Sequence, residues 1–151
     1  MRPIAAATLL APLLAVLALA APARAADASA QIVGRWRTID DATKKPKSVV
    51  QIYEENGKLF GKIEQLLDPK PDDPDPVCKK CEGELKDQRI IGLRFMWDFK
   101  KDGSGGRILD PDNGKIYKCN LTVKDGGKKL DVRGYIGISL IGRTQTWLRE
   151  E

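Results

Sequence analysis

The sequence predicts an all-β protein, a small antiparallel up-and-down β-barrel of about eight strands. Eight segments alternate apolar and polar side chains with the two-residue rhythm of a strand that has one face on a core. The residues between them are turn formers: Asn-Gly, Asp-Gly, Asp-Pro and Gly-Gly. No stretch of residues 26–151 carries a helical apolar period through three turns. Eight short strands left as an open sheet would expose edges that invite aggregation, and closure removes those edges. A β-sandwich is the competing architecture. The barrel is preferred because every connection but one is short enough for a hairpin.

The first strand is expected at residues 32–39, turning at 40–46 into a second at 48–54, rich in Val, Ile and Tyr. Asn56-Gly57 then supplies the positive φ of a tight hairpin, so residues 58–66 return antiparallel. From 68 to 88 the composition shifts to Pro, Asp, Lys and Cys. Pro69, Pro71, Pro74 and Pro76 remove backbone donors, so this stretch reads as a long Pro/Cys-rich loop. A fourth strand is expected at 90–99, with Leu93, Phe95, Trp97 and Phe99 on one face and Arg94, Met96 and Asp98 on the other. Residues 107–109 and 115–123 follow across Gly- and Asp-rich turns. In the longer of these, Tyr117, Cys119, Leu121 and Val123 share a face. Segments 130–135 and 138–149 complete the set.

Residues 1–25 read as an export signal. Arg2 gives a positive start, 4–21 are apolar and uncharged, and Ala21, Ala23 and Ala25 have the small-residue spacing of a cleavage site. Pro12 and the abundance of Ala make this run a poor permanent membrane anchor. A single domain, residues 26–151, is therefore expected in the periplasm or outside the cell. Loss of Arg2 and Arg24 takes the formal charge from +5 to +3. Lysines and carboxylates are interspersed, so there is no basic stripe for nucleic acid. No second apolar stretch would make a stable membrane span after cleavage.

The chain contains no His, which excludes Ser-His-Asp and Cys-His catalysis. Asp98, Asp110 and Asp112 are the nearest candidates for carboxylate chemistry, but each lies in or beside a turn where Asp caps backbone. Asp68, Asp72, Asp73 and Asp75 lack the spacing of a calcium loop and read as a solvated acidic stretch. In an oxidising envelope, Cys78-Lys79-Lys80-Cys81 is expected to form a disulfide that staples the Pro-rich loop, rather than a redox site. Cys119 reads as a buried free thiol. Its pairing with Cys78 or Cys81, or a three-thiol zinc site, are the alternatives. No metal and no cofactor is expected.

Gly34-Arg35-Trp36 near the start and a late Arg on the last strand, Arg149 or Arg143, resemble the Gly-x-Trp and late-Arg arrangement of lipocalins and related calycin barrels. There an Arg lies over the Trp ring and the glycine allows close approach. Over nearly the whole exported part the chain also resembles the DUF2147 family of exported bacterial proteins. The resemblance rests on Gly34-Arg35-Trp36-Arg37-Thr38, the hairpin 56–63, Cys78-Lys79-Lys80-Cys81, Ile108-Leu109-Asp110-Pro111, and the stretches 114–119 and 132–147. It implies a signal peptide, a periplasmic or secreted location and a lipocalin-like barrel, with no established activity.

Function must therefore be argued from the residues. With Trp147 facing inward, Arg143, Gln145 and Arg149 share its face; in the preceding strand Arg133 shares a face with Asp131 and Tyr135. A charge inside a barrel needs a carboxylate partner or a ligand anion. The expected function is thus non-enzymatic binding or carriage of a small hydrophobic or amphiphilic molecule, an anionic one included. Arg143, Gln145, Arg133, Tyr117 and Trp97 are its candidate contacts, and Gly34, Trp36, Trp147 and Arg149 its framework. A structural or protein-interaction module of the envelope, with a barrel filled by side chains, is the alternative. A thiol- or carboxylate-based enzyme stands third.

Overall fold

The computed structural model describes residues 27–138 and 140–151, so the export signal expected at 1–25 lies outside the described residues. A short helix α1 (Ala28–Ile32) leads into eight strands: β1 (Gly34–Ile39), β2 (Pro46–Glu55), β3 (Lys58–Leu66), β4 (Arg94–Phe99), β5 (Gly106–Asp110), β6 (Lys115–Lys124), β7 (Lys129–Tyr135) and β8 (Gly142–Arg149). Each strand pairs antiparallel with the next, and β8 closes onto β1. The result is a closed eight-stranded up-and-down barrel.

Local chemistry sets the turns. Asn56 and Gly57 have φ of 51° and 77°, the two consecutive positive values a two-residue hairpin needs, and β2 and β3 pair from Glu55–Lys58 down to Ser48–Leu66. The β1–β2 turn is capped by Asp40, whose Oδ1 accepts the backbone N–H groups of Ala42 and Thr43 at 3.0 and 2.7 Å. The Thr43 backbone bond, joined by its hydroxyl, holds the Asp40 carboxyl below its usual range.

The barrel interior is asymmetric. At the end bearing the β2–β3, β4–β5 and β6–β7 connections, Ile32, Trp36, Leu59, Phe99, Leu121 and Leu130 are all buried in one cluster. Helix α1 packs against β6 there, and Trp36 Nε1 donates to the Ile32 carbonyl at 2.8 Å. Arg149 caps this floor. Its guanidinium carbon stands 4.0 Å from the Trp36 ring centroid, Nε donates to Gly127 O at 3.0 Å, Nη1 to Val33 O at 3.0 Å, and Nη2 to Gln31 O. Gly34, at φ 137°, has no room for a side chain, because a Cβ there would meet the Arg149 guanidinium.

Two strands depart from the expected alternation. Residues 90–93 are not strand; β4 begins at Arg94. Within β4 the register slips between its pairings with Lys62 and Gly61, so Phe95 and Met96 are both buried, Met96 lying against the side-chain-free face of Gly61. This bulge turns Trp97 outward, in register with the exposed Arg107. Asp98, at φ 61°, makes a second irregularity that returns Phe99 to the core. The expected strand start at 32 is likewise taken up by α1, capped by the Asp27 carboxylate.

Candidate functional site

The connections β1–β2, β3–β4, β5–β6 and β7–β8 lie at the other end, and there the barrel is open. A cavity of about 920 Å³ enters between the first three of these loops and descends to the middle of the barrel. Inward positions of the strands line its depth: Ile63, Phe95, Ile108, Val132 and Trp147. Phe95 and Trp147 pack with ring centroids 6.3 Å apart and form its base. Thr38 and Ser48, opposite each other in the β1–β2 register, are buried in the wall and satisfy one another through a 2.7 Å hydroxyl contact.

The rim is polar. In β8, Arg143, Gln145 and Trp147 stand opposite Gly134, Val132 and Leu130, so all three side chains face inward. They form one chain of contacts. Trp147 Nε1 donates to Gln145 Oε1 at 3.2 Å, Gln145 Nε2 donates to Asp41 Oδ2 at 2.8 Å, and Arg143 Nη2 forms an ion pair with the same Asp41 carboxylate. Backbone pairing between β1 and β8 covers only Trp36–Arg149 and Arg37–Leu148, near the floor. At the mouth the two strands are joined by these side chains instead. Across the opening, Asn113 Nδ2 donates at 3.0 Å to the Tyr117 hydroxyl and at 3.0 Å to Asp110 Oδ2. Lys47 reaches Asp112 at 2.5 Å.

The structure thus brings Arg143, Gln145 and Tyr117 together at the cavity and leaves two of the expected contacts outside it. Arg133 stands opposite Thr144 on the outer face and donates to its hydroxyl at 2.9 Å, because the two-residue rhythm that turns Val132 and Gly134 inward turns Arg133 out. Trp97 is on the outer face for the reason given by the β4 bulge. Sequence reasoning missed Asp41, Asn113, Thr38 and Ser48. The only signal for Asp41 was the need of an inward Arg for a carboxylate, which did not say which loop would supply it.

The Pro-rich loop forms one wall of the mouth through Asp68, Pro69, Lys70, Pro76, Val77 and Ile90. Cys78 and Cys81 are disulfide-bonded with Cα atoms 5.4 Å apart. The staple lies against the β5–β6 turn, with Cys78 Sγ 3.8 Å from the Pro111 carbonyl and the Lys80 carbonyl occupying the space where Gly114 would carry a side chain. Cys119 is a buried free thiol, and burial pushes its pKa up to about 12. It therefore stays protonated at neutral pH and is a poor nucleophile. Asp98 is paired with Arg107 on the outer face at 2.9 Å, and Asp110 accepts the Asp112 backbone N–H at 2.9 Å. Among the described residues no three His, Cys, Asp or Glu side chains gather to hold a metal ion.

A closed meander whose floor is sealed by a Gly-x-Trp and a late Arg, and whose other end opens on a cavity with an apolar base and a polar rim, is a lipocalin-like barrel. The chain belongs to the DUF2147 family, "Uncharacterized protein conserved in bacteria", which matches residues 34–149. Among solved structures, protein HP1028 from Helicobacter pylori, described as belonging to the lipocalin family, has a TM-score of 0.68 to this chain. The two are 24% identical, over 79% of this chain and 82% of that one. No curated protein matches the chain.

Proposed function

We propose that the protein is a non-enzymatic binding or carrier protein of the bacterial periplasm for a small hydrophobic or amphiphilic molecule. The observation that supports this most is the cavity of about 920 Å³. Its apolar base and single polar rim match a ligand with an oily body and one polar end. The body rests on Phe95, Ile108, Val132 and Trp147, and the head meets Arg143, Gln145 and Tyr117. Asp41 already neutralises Arg143, so an anionic head must displace that carboxylate from the guanidinium. A head offering both a donor and an acceptor satisfies Arg143 and Asp41 together, and is the better fit. The open interior argues against the alternative of a barrel filled by its own side chains.

Native mass spectrometry of the protein purified from its own periplasm tests the reading. A discrete adduct, retained at least about tenfold less by Arg143→Ala (roughly 1.4 kcal/mol), is expected. Recovery of only the bare polypeptide, or equal adduct on the variant, overturns the proposed role of the cavity or of Arg143 respectively.

A further inference from the structure

The β7–β8 connection is unlike every other loop at the mouth. Residues 136–141 carry no charge and no aromatic ring, and the chain presents Ile136, Ile138, Leu140 and Ile141 to solvent at 68, 60, 85 and 72% exposure. Ile136 continues this surface into a shallow hollow shared with Leu85 and Ile116, the latter half exposed. Soluble proteins rarely leave so many large aliphatic side chains exposed in one loop, and such patches commonly mark sites of contact with a protein or a membrane.

The composition of the tip narrows the occupant. Energetically dominant residues of protein interfaces are mainly Trp, Tyr and Arg seated in shaped pockets. The large side chains that the described residues of this loop expose are Ile and Leu alone, with no Trp, Tyr or Arg among them, which suits fluid hydrocarbon. Cations flank the tip, whereas the mouth beside it carries Asp40, Asp41, Asp68, Asp73, Asp110 and Asp112 against Lys47, Lys70 and Arg143, so attraction to anionic headgroups comes from the flanks of the tip. Lys44 and Lys45 stand on the β1–β2 loop beside β8, and Lys115 and Lys118 on β6 beside β7. All four are exposed and in no ion pair among the described residues. Glu82 is the one carboxylate at the hollow. Aliphatic tips flanked by lysines bind anionic bilayers by combining buried apolar area with headgroup attraction.

We propose that the β7–β8 loop is a membrane-docking tip that seats the open end of the barrel on an anionic lipid surface. Strand order puts this loop at the same end as the cavity mouth, so docking turns the mouth towards the bilayer. The lipid surface is then both the source and the destination of an amphiphile. That last step rests on the carrier reading, whereas docking itself does not.

Flotation of the protein with vesicles of phosphatidylethanolamine and phosphatidylglycerol tests the proposal, with phosphatidylcholine vesicles as the neutral comparison. The wild type is expected to float with the anionic vesicles, several-fold less with neutral ones, and less as salt rises. Ile138→Ser with Leu140→Ser is expected to reduce flotation at least tenfold while leaving the melting temperature unchanged, because both side chains are exposed. Lys115→Gln with Lys118→Gln is expected to remove the preference for anionic lipid. Wild-type protein that stays in solution, a serine variant that still floats, or a dimer in gel filtration that the serine variant abolishes overturns the proposal. Loss of flotation with the native-mass adduct retained removes only the tip's role; absence of an adduct with flotation intact removes only the carrier.

Discussion

Arg149 joins four pieces of the chain through one side chain. Its guanidinium stacks on Trp36 and donates to carbonyls of α1, of the residue before β1 and of the β6–β7 turn. Those carbonyls lie near the sealed end of the barrel, so removing the donor leaves acceptors partly shielded from water. Arg149→Ala is expected to lower stability by about 2–4 kcal/mol, measured by urea unfolding. Arg149→Lys should recover less than half of this, since an ammonium has neither the fork nor the planar face. A loss within about 0.5 kcal/mol for the alanine variant would mean that the floor is held by apolar packing alone. At this scale the sequence was most legible where alternation is regular. The spacing of Arg143, Gln145 and Trp147 in β8 set all three on one face, and Gly34 and Trp36 could be placed at the seam, whereas the alternation alone did not say whether Arg143 or Arg149 covers the Trp36 ring. Trp97 was not legible, because no local feature of Arg94-Phe95-Met96-Trp97 announces that two consecutive side chains turn inward where Gly61 leaves space.

Among the elements, the stretch from 68 to 88 is the one whose shape the composition leaves open. Prolines forbid a ladder over most of it, yet Val77 pairs with Arg89, Cys78 N–H donates to Gln88 O at 2.8 Å and Ile90 N–H to Pro76 O at 2.9 Å. The loop is thus a small closed unit, pinned by the disulfide and laid on the β5–β6 turn. These are long-range contacts that no two-residue or helical period encodes, which is why only its limits and its staple could be anticipated. The disulfide closes a very short loop, so its effect on the unfolded chain is small, about 2 kcal/mol. Cys78→Ser with Cys81→Ser is expected to lower the melting temperature by no more than about 8 °C for a domain of this size, leaving the β spectrum of the barrel in place. Complete unfolding at 25 °C would show that the staple organises the barrel as well as the wall of its mouth.

For the molecule as a whole, the opposed ends explain why a chain this short forms a barrel at all. The floor concentrates the buried aromatic and aliphatic residues, while the upper half of the interior is open volume bounded by β7, β8 and the Pro-rich wall. Gly134 sits in that upper half, inside β7, where a Cβ would stand 3.7 Å from Tyr117 Cβ and 3.9 Å from Ile108 Cγ2, ordinary contacts in a relaxed backbone. A glycine inside a strand costs roughly 0.5–1 kcal/mol relative to a residue with a side chain, and at Gly134 the missing side chain leaves that space to the cavity. Gly134→Phe projects a ring into the cavity; Gly134→Ala fills almost nothing. Both variants are expected to hold or raise the melting temperature, by about 2–5 °C. Only the phenylalanine variant should lose the native-mass adduct, by tenfold or more. The opposite pattern, a Gly134→Phe barrel that melts far below the wild type, would mean that the volume beside Gly134 is closed in solution, and the molecule would then be a packed barrel rather than a container.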